Sequence, residues 1–288
     1  MSRPAAYLVA LVALFGAAFL AGGALGGVDT QPRAEAGGHG SGEAEAMAGH
    51  GSAQARGSTG GQGSAEGGAS APGLAVASGG LRLVAPSTLR AGVPADFAFR
   101  IVGEDGATVR DFAVEHAKRL HFIAVRRDLT GFQHLHPTQR ADGSWSTPLT
   151  LREPGAYRVF ADFTPSGGEK TTLASDVLVA GAFAPRALPA PSARAAVDGY
   201  DVALRTSGET LRFAISRDGA PVEVEPYLGA SGHLVALREG DLAYLHVHPH
   251  EDAVAFDAEF PSAGRYRLFL QFKVAGRVHT AAFTKVVA

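Results

Sequence analysis

Residues 154–163, PGAYRVFADF, return at residues 263–272 as AGRYRLFLQF. Both segments set a Gly two residues before a Tyr and continue as a run rich in Val, Leu and Phe. A Gly-x-Tyr ahead of such a run reads as a tyrosine corner, whose hydroxyl bonds back to the backbone near a sheet-to-sheet crossing. Working upstream, residues 121–126 (HFIAVR) match 233–238 (HLVALR), and 132–137 (FQHLHP) match 244–249 (YLHVHP). The offset is 112 at the histidines and 109 at the tyrosines. Around these segments lie short runs such as 95–102 (ADFAFRIV) and 210–216 (TLRFAIS), each followed by an Asp-Gly turn. No segment sustains a 3.6-residue period, so helices should be few. The expected class is all-β: two tandem immunoglobulin-like β-sandwich domains, residues 81–182 and 196–288. Residues 183–195 form a Pro-rich connector between them.

Toward the N-terminus the pattern changes twice. Residues 28–80 contain no Phe, Tyr or Trp and are dominated by Gly, Ser and Ala. Such a chain buries too little apolar surface to offset its entropy, so it reads as a disordered tether. His39, Met47 and His50 within it read as incidental residues of a linker. Residues 5–25 are all apolar, Gly or Tyr and follow a lone Arg3. At 1.5 Å rise per residue this run covers about 30 Å, the thickness of a bilayer core. Residues 1–27 are therefore expected to be a transmembrane helix with Arg3 on the cytoplasmic side. Both domains then lie outside the cytoplasm on a single-pass anchor. A cleaved signal segment and secretion are the alternative.

Composition removes several function classes. Lys+Arg is 26 and Asp+Glu is 28, so the formal net charge is −2 and no basic surface for nucleic acid is implied. With no cysteine there are no disulfides, thiolate metal sites or thiol nucleophiles. No Gly-x-Ser-x-Gly, phosphate loop or dinucleotide fingerprint occurs, and a non-enzymatic role is expected.

The chemistry-bearing signal is histidine. Of the seventeen positions aligned between 121–137 and 233–249, six are identical, and three of those are histidines. Residues i and i+2 of a strand share a face, so His134 and His136 form one pair, and His246 and His248 another. A hairpin closing symmetrically between them sets His121 opposite His134. His121, His134 and His136 then make a trio able to meet a metal at Zn–N distances of about 2.0–2.1 Å. The same construction joins His233, His246 and His248, with His250 and His279 as further candidate ligands. His116 is the corresponding extra candidate in the first copy. Both faces of these strands are apolar, so parity alone does not decide which face is buried. The competing reading is a metal-free binding or structural module at the surface, whose histidines donate to backbone carbonyls. Gly240, His246 and His248 also resemble the opening of a cupin metal motif. Glu251 is misplaced for it, which leaves a cupin-like metalloenzyme as a minor alternative.

Residues 227–238 (YLGASGHLVALR), 241–249 (DLAYLHVHP) and 121–137 together resemble a family of exported or membrane-anchored actinobacterial proteins with His-x-His-Pro motifs. Its members look like copper-associated periplasmic sandwich domains. The resemblance implies binding of a divalent metal, copper or zinc, for sequestration or delivery, with no protein partner specified. Leu120 and Gly232 stand where related segments often carry Met. That leaves an imidazole-only donor set, suited to Cu(II) or Zn(II).

Overall fold

The computed structural model describes residues 71–288 except 246, 251 and 252. The expected membrane segment and residues 28–70 of the expected tether lie outside the described residues. The described chain is all-β, with no helix among the described residues. The first copy contributes β1 (Ala77–Ser78), β2 (Leu81–Val84), β3 (Thr88–Leu89), β4 (Ala95–Val102), β5 (Leu120–Arg126), β6 (Gln133–Leu135), β7 (Thr138–Gln139), β8 (Trp145–Leu149), β9 (Gly155–Phe163) and β10 (Thr171–Val179). The second contributes β11 (Arg194–Val197), β12 (Tyr200–Ser207), β13 (Thr210–Arg217), β14 (Ala220–Pro221), β15 (His233–Arg238), β16 (Tyr244–Leu245), β17 (Val247–Pro249), β18 (Ala255–Ala258), β19 (Gly264–Val274) and β20 (Arg277–Val287).

Each copy is a two-sheet sandwich. In the first, β1-β2-β4-β8-β7 faces β3-β10-β9-β5-β6; in the second, β11-β12-β13-β18-β17 faces β16-β15-β19-β20, and β14 pairs with β13. Setting β5, β9 and β10 on one sheet against β2, β4 and β8 on the other is the strand partition of an immunoglobulin-type sandwich. Both tyrosine corners form: Tyr157 Oη donates to the Glu153 carbonyl at 3.0 Å and Tyr266 Oη to the Ser262 carbonyl at 2.9 Å. The order begins earlier than composition suggests. β1 falls inside the segment expected to be a tether, and Arg158 explains why. Its Nε donates to the Gly73 carbonyl at 3.0 Å and its Nη2 to that of Leu74 at 2.6 Å, while Tyr244 N donates to Pro72 O at 2.9 Å.

Each sandwich has its own core, one around Phe97, Phe122 and Trp145, the other around Phe213, Phe256 and Phe283. A third apolar cluster lies between the two domains. It joins Ile123, Val125 and Phe160 of the first to Val235, Leu237, Tyr244 and Phe269 of the second. The contact is reciprocal. Phe132 stacks on Phe269 with centroids 4.0 Å apart and planes 7° apart, and the equivalent Tyr244 lies 5.7 Å from the equivalent Phe160. Every residue of β5 is consequently buried, alternately toward its own core and toward the other domain. The connector is laid along this seam, with Leu188 against the cluster and its carbonyl accepting from Arg265 Nη2 at 3.0 Å.

Truncation of the seam is expected to be costly. Phe269→Ala should lower stability by about 3–5 kcal/mol, the usual range for a buried Phe, and should make the connector near Leu188 cleavable by protease. Denaturant titration with limited proteolysis checks this; an uncleaved connector and a loss under about 1 kcal/mol would contradict the packing role assigned to Phe269.

Candidate metal centre

The face of β5 that looks toward the second domain starts at His121 and continues through Ile123 and Val125. β6 pairs with it so that Phe122 faces Leu135, Ile123 faces His134 and Ala124 faces Gln133. One step further along that register sets His136 opposite His121. This corrects the symmetric hairpin, which set His134 there. The loop is longer: Arg126 N donates to Thr130 O at 2.9 Å, and Leu129 and Gly131 both take positive φ, 63° and 65°. The register therefore moves by two positions. A shift of one would have turned every side chain to the other face, whereas two preserves the parity. His121, His134 and His136 accordingly converge, each offering a ligand nitrogen, with these atoms all within 4.8 Å of one another.

A fourth ring arrives from the second domain. His233, the first residue of β15, stacks on His121 with centroids 5.2 Å apart and lies 4.6 Å from His134. Gln271, its neighbour across the β15–β19 pair, reaches His134 Nδ1 with Oε1 at 2.6 Å. Gly232 permits that approach, since a Cβ there would sit 2.9 Å from the Gln271 carbonyl oxygen. His116 stands further out, its ring 6.2 Å from His121 and 6.0 Å from His233.

The other expected ligands are elsewhere. His248 belongs to β17, which pairs with β18 on the opposite sheet and sets it against Asp257. His250 Nε2 lies 2.9 Å from Asp257 Oδ1. His279 Nδ1 lies 2.7 Å from Asp198 Oδ2, and its ring packs between Tyr200 and Phe272. His246 lies outside the described residues. The difference between copies is where the chain changes sheets. The first copy crosses after Leu135 and before Thr138, leaving His136 beside His121; the second crosses after Leu245 and before Val247, which carries His248 to the other sheet. His233 thus joins the first copy's histidines instead of founding a trio of its own.

Hydrogen bonds assign the tautomers. His121 Nε2 faces the Glu115 carbonyl at 3.2 Å and must donate to it. His134 Nδ1 faces Gln271 Oε1 at 2.6 Å and donates to it, while Gln271 Nε2 lies 3.4 Å from Thr280 Oγ1. Each neutral imidazole has one N–H, so with the Gln271 oxygen toward His134 the remaining nitrogens, His121 Nδ1 and His134 Nε2, are both lone pairs. They face each other at 3.1 Å. His136 Nε2 and His233 Nδ1 are buried with no hydrogen-bond partner. Two lone pairs turned on each other, beside two buried ring nitrogens without partners, suit a shared proton or a metal cation. A proton is disfavoured. Burial, reinforced by His136 and His121, pushes the His134 pKa down to about 3. Burial and then His121 and Lys118 push His136 down to about 4. Burial also lowers His121 and holds His233 well below the ordinary histidine value. Two nitrogens bound to one tetrahedral ion at about 2.0–2.1 Å stand about 3.3 Å apart, close to the separation seen here.

Gln271 and the Glu115 carbonyl were not legible as site groups. Strand parity places residue 271 on the same face as Phe269, but only the domain-to-domain contact brings it to His134.

Residues 76–181 and 195–288 match a family model described as "Domain of unknown function (DUF8832)". The chain belongs to this family. The two matched segments are the two sandwiches, so the duplication read from the sequence is a repeat of the family's own unit. No curated protein matches the chain. Among solved structures, a Salmonella alpha-2-macroglobulin aligns with 76% of this chain at 14% identity and a TM-score of 0.28, over 15% of its own length. A protein of Corynebacterium diphtheriae described as membrane anchored aligns with 73% of this chain at 11% identity and 0.24, over 59% of its length. The N-terminal Ig1-2 module of Drosophila receptor protein tyrosine phosphatase DLAR aligns with 72% at 8% identity and 0.19, over 98% of its length.

The buried histidines make stability depend on pH. Their folded pKa values lie below the unfolded value of about 6.5, so in acid the unfolded chain binds protons that the folded chain refuses. Stability is complete above about pH 6.5 and declines as the pH falls toward the folded values, about 4 for His136 and about 3 for His134, with up to about 1.4 kcal/mol per pH unit from the fully buried His134. Melting temperatures of the metal-free protein from pH 7.5 to 4.5 should fall steadily; a flat profile would refute the neutral assignment of His134 and His136.

Proposed function

We propose that this protein binds a divalent metal ion, Cu(II) or Zn(II), between its two domains, and that it does so on the outer side of a membrane for sequestration or delivery. The observation that carries the reading is the convergence of a ring nitrogen from each of His121, His134 and His136, all within 4.8 Å of one another. The unpartnered His233 Nδ1 supports it as a fourth donor. An all-imidazole set without thiolate or thioether favours these borderline ions over Cu(I). Outer partners that fix ring orientation, here Gln271 and the Glu115 carbonyl, are the usual companions of metal-ligating histidines. The extracytoplasmic anchor rests on the apolar run of residues 5–25 and on the lone Arg3 before it. We read the role as binding: the converging groups are imidazoles, and the carboxylate opposite His121, Asp162, accepts from Thr172 Oγ1 at 2.8 Å.

Calorimetric titration should give one saturable site per chain. Replacing His121 and His136 together with Ala should abolish it. An ion that binds only the folded state, present at 100 times its dissociation constant, should add about 2.7 kcal/mol of stability. No saturable uptake would leave the metal-free module as the function. Carbonate extraction of the host's membranes tests the anchor: the chain should stay in the pellet, and a shortened soluble chain would indicate secretion.

A further inference from the structure

His116 sits at a position that strains the backbone. Glu115 and Lys118 exchange two backbone hydrogen bonds, Glu115 N to Lys118 O at 2.8 Å and Lys118 N to Glu115 O at 2.9 Å. The two residues between them, His116 and Ala117, both have positive φ, 48° and 61°. This is the pattern of a type I′ turn, which ordinarily recruits Asn and Gly because a Cβ is disfavoured there. Neither is present. Non-Gly residues held in the left-handed region cost energy and persist where the surroundings enforce them. The hairpin base is anchored: Thr164 Oγ1 donates to Glu115 Oε1, and Lys170 Nζ lies 3.0 Å from Glu115 Oε2. The same hairpin's Glu115 carbonyl orients His121. One turn therefore both fixes a ring of the cluster and suspends a fifth imidazole at its rim.

The placement of that imidazole is intermediate. Each inner ring has a neighbour 4.6–5.2 Å away by centroid, whereas His116 stands 6.0–6.2 Å from its two nearest, edge-on to both. It is half-buried, and Ala117 and Lys118 beside it are exposed.

We infer that His116 is the exchange ligand of this centre, the group through which the metal ion passes between the buried histidines and an acceptor in solution. The inference rests on the metal-binding reading above and supplies its route. In the outward step the neutral His116 imidazole forms a metal–nitrogen bond as one cluster nitrogen releases its own. The ion keeps its charge, and no proton or electron moves. An ion held only by the enclosed rings would have to shed several bonds before meeting an acceptor; a fifth donor at the rim lets bonds be traded one at a time.

The test is transfer of Zn(II) from the full chain in detergent micelles to a chromogenic chelator, followed by stopped flow. His116→Asn is the variant of choice, because Asn is favoured in this turn and folding is not put at risk. It should leave the equilibrium affinity within about threefold while slowing both loading and release by about tenfold or more. Ala117→Gly relaxes the same turn but keeps the imidazole, and it should transfer at close to the wild-type rate. Unchanged rates in His116→Asn would overturn the inference. So would a fall in affinity with loading unaffected, which would make His116 a resident ligand. Equal slowing by Ala117→Gly would assign the effect to the hairpin and overturn it too. Failure of the wild-type chain to take up Zn(II) or Cu(II) would instead remove the metal-binding reading itself, and the inference with it.

Discussion

The outer face of β5 and β9 packs against the outer face of β15 and β19, and the properties of the histidine cluster follow from that contact. In an isolated sandwich these faces would meet water, and His121, His134 and His233 would be ordinary surface imidazoles titrating near neutrality. Docking encloses them. Stacked Phe132 and Phe269 and the apolar residues around Ile123 and Val235 seal the seam beside them. Enclosure removes the water that would stabilise imidazolium, so the rings remain neutral, and neutral rings are competent ligands.

The contact is reciprocal in its apolar part and unequal in its polar part. His121 and His233 are equivalent positions, as are Asp162 and Gln271, each paired across the sheet with its own histidine. Asp162 is engaged within its own domain, accepting from Thr172 Oγ1 at 2.8 Å. Gln271 instead crosses the seam to His134. The contact to His134 is thus made by a neutral amide oxygen and not by a carboxylate. The copies contribute unequally to the cluster: the first supplies three rings, and the second supplies one ring, an amide that meets His134 and a cover.

Much of the fold could be read from the sequence, because its signals are local. The Gly-x-Tyr corners, the alternating runs and the repeated His-x-His pairs depend on residues a few positions apart, and the sandwiches follow from them. Parity also survived an error in register, since the longer 126–132 loop shifted the pairing by an even number. What could not be read depends on distance in sequence. The seam brings Gln271 to His134 across 137 residues, and nothing in either segment announces it. The apolar character of both faces of β5 did signal a second buried surface, but not what covered it. The sheet crossing of the second copy turns on one or two residues around Leu245, and this small difference decides that His248 leaves the cluster.

The connector along the seam has a further consequence. Two separate chains carrying these domains would meet only as often as their concentrations allowed, and a centre shared between them would come apart on dilution. Here residues 180–193 hold the partners together, and Leu188 pins the middle of that strap to the contact it spans. A short tether of this kind fixes the local concentration of one domain about the other at roughly the millimolar level, whatever the abundance of the protein. A few widely separated copies would each still present a complete set of imidazoles.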